Sequence, residues 1–530
     1  MKDVIINHQD YTTYQPKLLY GWTMNFEDIS KDDICHTILE VVERINLGKI
    51  IDLKNYDSRS YDPLMMLTLT ALAYAEHGQP SLRDMERYCR YDIRYRILSQ
   101  NQQPSYKSFQ RFMNSMKCSI EEVNKYVYLY IQDKKALEEA VLYVDGTKFE
   151  AYANKMTFFW SAWAKRHYPR NWKKCMELIG EINRYFKEEG INVKYSILKK
   201  PNLNYLIEID EALDRWLTSI KAIRKGRGVH PIEKIRRALK KVSKKLFEYE
   251  IAMELLDGRN SFSKTDPDAT FMHMKYDYYN HTNVFKPGYN VQIGVNNGYI
   301  AHTYISGDAN DVKTYIPFME SYRKRYGAYP KKAVGDAGYG SYDNYVYSEL
   351  KGIRAILKYS GMEKKKEKVN DRNRYRSIHF EKDEKGRPIC PQGHVFKAEK
   401  KKIVEGYVPK VTIHYRNEHC EGCPVREKCT KSAKGRTVQI TPKLEKYHEG
   451  IDEYLRSEEG KRDTANRSIQ AEGAFGDIKE NFGYERIRRR GLESISMEIG
   501  FAVLGHNLRA YHNRKQKMDK KEKSFPQSVH

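Results

Sequence analysis

The sequence predicts an α/β fold: a mixed sheet carrying two inserts behind an all-α N-terminal region. Three observations carry this. Ala140-Val141-Leu142-Tyr143-Val144-Asp145-Gly146-Thr147 is a β-rich run without polar alternation, as in a strand buried on both faces. Lys332-Ala333-Val334-Gly335-Asp336 and Gly352-Ile353-Arg354-Ala355-Ile356-Leu357 repeat that texture on either side of a helical stretch. Strand, helix and strand in that order imply a parallel crossover.

Composition sets the outer bounds. The chain has 530 residues, enough for about two to four domains. Lys plus Arg is 94 against 70 Asp plus Glu, a net charge of +24. Such an excess fits a polyanionic partner, nucleic acid being the commonest, with a merely basic surface as the alternative. No run approaches the roughly 20 apolar residues of a membrane span. The opening Met1-Lys2-Asp3-Val4-Ile5-Ile6-Asn7 lacks a secretion-signal core, so a cytoplasmic protein without membrane partners is expected.

Taken in order, residues 1–135 read as a helical, DNA-binding domain. An apolar helix lies near Ile34 to Ile45. Pro63 opens a second, stopped at Gly78, and Ser81 caps a third through Arg90. Asp92 to Leu98 and Tyr106 to Met116 follow, the latter with Lys107 and Arg111 outside. Short helices with tight turns suggest a helix-turn-helix-like unit, or an ordinary helical domain.

Residues 136–360 hold the first part of the sheet domain, interrupted by a helical insert at 155–260. Leu206, Ile209, Leu213, Trp216, Ile220 and Ile223 form one seam; Ile232, Ile235, Leu239, Val242, Leu246, Tyr249, Met253 and Leu256 form another. An antiparallel hairpin with a basic tip (Arg224, Lys225, Arg227, Arg236, Arg237) is predicted, Glu233 being the tip's single acid. Asn296-Asn297-Gly298 marks a β-hairpin, and Asp311 caps a helix to Tyr326. Residues 361–455 form a cysteine-rich insert. Residues 456–514 return to the sheet domain with a helix around Glu472 and a long helix from about Glu493 to His512. Residues 515–530 are a basic, disordered tail.

Three acids stand out. Asp145 ends a buried strand, where an unpaired carboxylate is expensive; a metal, a basic partner or a turn cap would explain it. Asp336 lies at the carboxyl end of its strand, where open α/β sheets bind ligands. Ser468, Glu472, Gly476 and Lys479 share one small, polar helical face. Three such carboxylates converging on one sheet edge can hold two Mg²⁺ ions for phosphoryl transfer. Arg486, Arg488, Arg489 and Arg490, directly after that helix, suit phosphate or are a solvated run.

Of eight cysteines, Cys35, Cys89, Cys118 and Cys175 read as isolated buried thiols. Cys390, Cys420, Cys423 and Cys429 cluster among turn-forming Gly and Pro residues, as ligands of one structural Zn²⁺ or as four reduced thiols. His394 is a substitute ligand.

The chain resembles the DDE transposases of bacterial insertion sequences, which have an RNase H-like catalytic domain. Asp145-Gly146-Thr147-Lys148, Gly335-Asp336-Ala337-Gly338-Tyr339 and Ala471-Glu472-Gly473 with Lys479 carry the resemblance, supported by Thr265-Asp266-Pro267-Asp268-Ala269 and the helices from Tyr61 to Met116. It implies that Asp145, Asp336 and Glu472 are the catalytic triad. It implies cleavage at transposon ends in double-stranded DNA, attack of the freed 3′-OH on target DNA, a homodimer in synapsis, and a DNA contact from Lys479. The related signature of hairpin-forming members has Tyr seven and Arg four residues before the Glu. Here those positions are Ala465 and Ser468, and Arg467, a further candidate for phosphate, is one residue off. A structure-specific nuclease and a catalytically silent, transposase-derived DNA-binding protein are the alternatives.

Overall fold

The computed structural model describes residues 29–45, 50, 61–135, 141–221, 229–277, 282–484 and 486–524. The strands, in chain order, are β1 (Val141–Glu150), β2 (Phe158–Trp160), β3 (Ser261–Ser263), β4 (Thr270–Asp277), β5 (Thr282–Asn296), β6 (Tyr299–Ser306), β7 (Lys332–Gly340), β8 (Arg354–Tyr359), β9 (Glu381–Lys382), β10 (Pro388–Ile389), β11 (Lys397–Val404), β12 (Lys410–Arg416) and β13 (Thr437–Ile440).

The main sheet is mixed, in the order β4-β5-β1-β7-β8, with β6 also pairing β5. β1 runs antiparallel to β5 and parallel to β7, and β7 runs parallel to β8. The β5–β6 turn has Asn297 and Gly298 at φ 50° and 74°, the left-handed pair a tight hairpin requires. The helix after β6 spans Asp311–Tyr326, capped by Asn310 and not by Asp311. That difference frees the Asp311 carboxylate.

Local signals explain the N-terminal helices. Asp62 accepts the Met65 N–H at 2.8 Å to start Pro63–His77, and Gly78 ends it at φ 63°. Ser81 and Asp84 form a reciprocal capping box for Leu82–Tyr91. Ile93–Leu98 and Tyr106–Ser115 follow. These helices share one contiguous core with the sheet and with the last helix, Leu492–Ser524. That helix runs well past Arg514: most of the stretch expected as a disordered tail is helical, and Lys515 reaches Glu40 at 2.6 Å.

The helical insert is larger than the predicted hairpin. Leu203–Lys221 and Pro231–Leu256 are both present, but Ser161–Glu188 packs with them as a third helix. Trp172, Ile179 and Phe186 complete a core with Leu206, Leu213 and Leu246. The basic tip is also less one-sided than its sequence. Arg236 is bound by Asp210, Asp214 and Glu233, Arg237 by Glu233, and Lys240 lies 3.6 Å from Asp210. The two acids from the preceding helix come into range only in the folded pair. Arg224, Lys225 and Arg227, with the turn expected there, lie outside the described residues.

β9–β10 and the antiparallel β11-β12-β13 make the cysteine-rich insert, with its own core of Phe380, Phe396, Tyr415, Val438 and Ile440. Among the described residues, no helix is long and apolar enough to cross a membrane.

Gly505 on the last helix meets the N-terminal helices at backbone distance: a Cβ there would lie 2.6 Å from the Tyr74 carbonyl. Gly180 has nothing within 4 Å of its Cβ position. Gly→Ala in a helix ordinarily stabilises by about 1 kcal/mol, whereas overpacking costs roughly 1–3 kcal/mol. The expected outcome in urea unfolding is a raised midpoint for Gly180→Ala and a lowered one for Gly505→Ala.

Candidate active site

The site starts with register. In the parallel β1–β7 pair Tyr143 faces Val334 and Val144 faces Gly335. The next residues are Asp145 and Asp336, so two acids far apart in sequence sit abreast on neighbouring central strands. β7 then leaves regular pairing with β8 between Gly335 and Gly340. In that irregular stretch the Gly338 N–H donates to Asp336 Oδ1 at 2.8 Å, as the Gly146 N–H does to Asp145 Oδ1 at 2.9 Å.

Glu472 arrives from a helix that is not regular. Glu458–Arg467 is α-helical; Ser468–Glu472 and Asp477–Asn481 are π-helical, separated by one α turn at Gly473–Gly476. A π turn sets residues five apart over one another. Ser468 Oγ donates to Glu472 Oε2 at 2.8 Å, as the predicted face requires. Arg467, five residues before the Glu, also reaches it: Nη2 lies 2.7 Å from Glu472 Oε1. Its Nη1 lies 3.4 Å from Asp145 Oδ2. The one-residue offset of Arg467 in the sequence pattern is thus absorbed by the wider turn.

The electrostatics follow from burial. Desolvation pushes the Asp145 carboxyl up to about 6; Arg467 opposes this, while Asp336 and Glu472 add to it. Burial also raises Asp336, against the Gly338 N–H and Arg467, with Asp311 adding to the rise. Asp311 is the acid expected from its position to cap a helix. Here its Oδ1 accepts from Asn290 at 2.6 Å and Gln292 at 3.1 Å, and Tyr339 donates to Gln292 behind it. Lys358 on β8 completes the ring of charges: burial, then the Arg467 charge, holds its ammonium below the usual lysine range.

A cleft of about 640 Å³ opens from these acids, lined by Asp145, Lys148, Lys286, Glu472, Lys479 and Glu480 among others. Lys479 spans it: Nζ is 2.9 Å from Thr147 Oγ1, 2.7 Å from the Lys148 carbonyl and 4.4 Å from the Phe149 ring centre. It therefore ties the glutamate helix to β1. The arginine stretch divides in two. Arg486 and Arg490 flank the exposed Tyr152 ring, at 5.4 and 4.8 Å, and Arg486 lies 3.5 Å from Glu150. Arg489 reaches Asn114 at 3.0 Å on the N-terminal helices, and Arg488 lines the groove beside it. Asp268 helps to start the last helix, accepting the Leu492 N–H at 2.8 Å, and Asp266 accepts that of Gly491 at 3.3 Å. These two bonds give the Thr265–Ala269 motif a structural task.

Cys390, Cys420, Cys423 and Cys429 line one cavity of about 20 Å³; all four are free thiols. The Arg436 N–H donates to Cys420 Sγ at 3.3 Å. His394 does not line that cavity and stacks on His419 at 4.6 Å. Among the described residues, no group of three or more His, Cys, Asp or Glu is close enough together to hold a metal ion as it stands.

Two protein families match the chain. A transposase DDE domain matches residues 389–512, spanning the four clustered cysteines, Glu472, Lys479 and the arginine stretch. A transposase domain, DUF772, matches residues 25–115, the N-terminal helices. Neither match reaches Asp145 or Asp336. No curated protein and no solved structure matches. Transposase domains at both ends of a mixed α/β chain define the class: a protein of DNA transposition. Within it, the two matches together support an insertion-sequence DDE transposase.

The raised Asp145 carboxyl gives a pH test. Its charged form is disfavoured in the fold, so its stabilising contribution is full below the unfolded value of 3.8 and is lost as pH rises through about 6. Asp145→Asn removes that loss. Urea unfolding at pH 5 and pH 8 should show the variant gaining on the wild type at the higher pH, by on the order of 1–1.5 kcal/mol.

Proposed function

We propose that this protein is a metal-dependent DNA transposase that cleaves transposon ends and joins the freed 3′-OH to target DNA, with Asp145, Asp336 and Glu472 as its catalytic triad. The observation that carries the reading is the abreast placement of Asp145 and Asp336 through the Val144–Gly335 register, with Arg467 tying Glu472 to Asp145. The strand order, a hairpin beside β1 with β7 and β8 parallel on its other side, supports an RNase H-like core. All three acids are retained, which favours an active enzyme over a silent descendant.

An all-oxygen donor set beside a lysine-lined cleft fits Mg²⁺ better than Zn²⁺. When bound, two such ions stabilise the attacking and leaving oxygens of phosphoryl transfer. The chain's own residues do the rest. Asp145, Asp336 and Glu472 would hold the ions, and Asp311 keeps Asp336 in a strongly negative field. Lys148, Lys286 and Lys479 favour a DNA strand along the cleft, and Arg486 and Arg490 extend that basic track past Tyr152. Arg488 and Arg489 lie where the N-terminal helices, read as the DNA-binding domain, meet the catalytic part. The two catalytic parts, 136–360 and 456–514, enclose the helical insert and the cysteine insert. A dimer follows from the need to hold two ends together.

For the cysteine insert we infer one structural Zn²⁺ held by Cys390, Cys420, Cys423 and Cys429. Their shared cavity and the N–H donated to Cys420 Sγ favour thiolates there, and so small a core needs a staple. Metal analysis after dialysis should find one zinc per chain, lost in Cys423→Ser together with a lowered melting temperature.

The decisive experiment is incubation of the protein with DNA carrying the element ends and Mg²⁺. Wild type should nick the ends and join them to target. Glu472→Gln should lose at least about 10³-fold of both activities while still binding the ends. Cutting without joining would reassign the chain as a nuclease.

A further inference from the structure

The π turn before Glu472 has a consequence for the metal site. In a regular helix Ser468 and Ile469 would face Glu472, and Arg467 would point elsewhere. The wider turn instead brings the Arg467 guanidinium between two carboxylates from different elements, 3.4 Å from Asp145 Oδ2 and 2.7 Å from Glu472 Oε1. The side chain is only 14 % exposed, and its Nε is buried with no hydrogen-bond partner. An orphaned charged donor is costly, and a structural arginine fork ordinarily fills its donors. This guanidinium is therefore held by charge, not by a complete set of hydrogen bonds.

The charges nearby set its role. Asp145, Asp336, Asp311 and Glu472 supply four acids, against Arg467 and Lys358 as the cations they face. Arg467 acts on both Asp145 and Asp336. It does for these carboxylates what a bound cation would do.

We propose that Arg467 is a resident cation that competes with a divalent ion for Asp145 and Glu472, and that the ion, on binding, turns the guanidinium out toward DNA phosphate in the cleft. This rests on the assignment of those acids as metal ligands. Metal and DNA binding are then coupled through one side chain. A divalent ion frees a positive charge beside the cleft, so each ligand strengthens the other.

The test measures Mn²⁺ affinity by electron paramagnetic resonance, without DNA and without turnover, in wild type, Arg467→Gln, Arg467→Lys and Glu472→Gln. Arg467→Gln keeps hydrogen-bonding capacity and removes the charge; it should bind Mn²⁺ at least about tenfold more tightly than wild type. Arg467→Lys, which cannot bridge two carboxylates with a planar fork, should fall between and serves if the Gln variant does not fold. Mn²⁺ affinity unchanged or weakened in both arginine variants overturns the proposal. Affinity unchanged in Glu472→Gln overturns the assignment of the metal site itself, a separate failure. A second readout is affinity for a duplex element end with and without Ca²⁺. Arg467→Gln should match wild type without the ion and fall below it with the ion, with a salt slope shallower by about one. An equal loss in both conditions overturns the coupling.

Discussion

The site depends on one stretch of parallel pairing, Val141–Val144 against Lys332–Gly335. It fixes Asp145 and Asp336 at the same level on the two central strands, and it does so where both are largely removed from water. Both carboxylates lose solvation there and each faces another acid, Asp336 for Asp145 and Asp311 for Asp336, so each is held above its ordinary range. A fold that kept this arrangement for stability alone would be hard to account for, because an apolar pair at those positions would suit the sheet better. The stored unfavourable energy makes sense when a cation or a phosphate-bound cation is part of the working site.

Other parts of the chain relieve or exploit that strain. Arg467 supplies the nearest positive charge, and the π turns of the glutamate helix put it there. Lys479, on the second π turn, fastens the same helix to β1 through Thr147 and the Lys148 carbonyl. Asp477, on the same turn, is held well below the usual carboxylate range by hydrogen bonds from His506 and Arg509, which outweigh its burial. The irregular helix is therefore anchored on both sides, to the sheet by Lys479 and to the last helix by Asp477. Its position relative to Asp145 is set by contacts rather than by helix propensity, which two glycines would weaken.

Much of this was legible in the sequence because strands buried on both faces are written in unbroken apolar runs, and Asp145 and Asp336 interrupt theirs. The face shared by Ser468 and Glu472 was legible from helical spacing. The π turns were not, since no residue pattern announces a fifth-residue contact; only the apparent misplacement of Arg467 hinted at it. Asp311 was hidden for a different reason. Asp311 reads as the helix cap, but Asn310 accepts the Val312 N–H in that role and the Asp311 carboxylate accepts instead from Asn290 and Gln292 on β5. The pairing of Arg236 with Asp210 and Asp214 was likewise invisible, because it needs two helices folded together. The third helix of the insert carries a seam of the same kind, Trp172, Cys175, Ile179, Ile182 and Phe186 being spaced alternately by three and four, but its tryptophan and cysteine positions and Pro169 make it less plain than the aliphatic seams.

The placement of the N-terminal helices carries the last step. Among the described residues they share one core with the main sheet, meeting the last helix at Gly505 closely enough that a methyl group would not fit. Arg489 crosses from the stretch after the glutamate helix to Asn114 on the helix Tyr106–Ser115, and Gln79 reaches the buried Glu498 at 2.8 Å. A DNA segment held by those helices would thus be held in a fixed relation to Asp145, because the described helices and the sheet pack in one core. For a reaction that needs a particular phosphate at a particular pair of acids, rigid coupling between recognition and chemistry supplies positioning that binding strength alone does not. On the proposed function, the same packing would place DNA recognition and strand cleavage on one body.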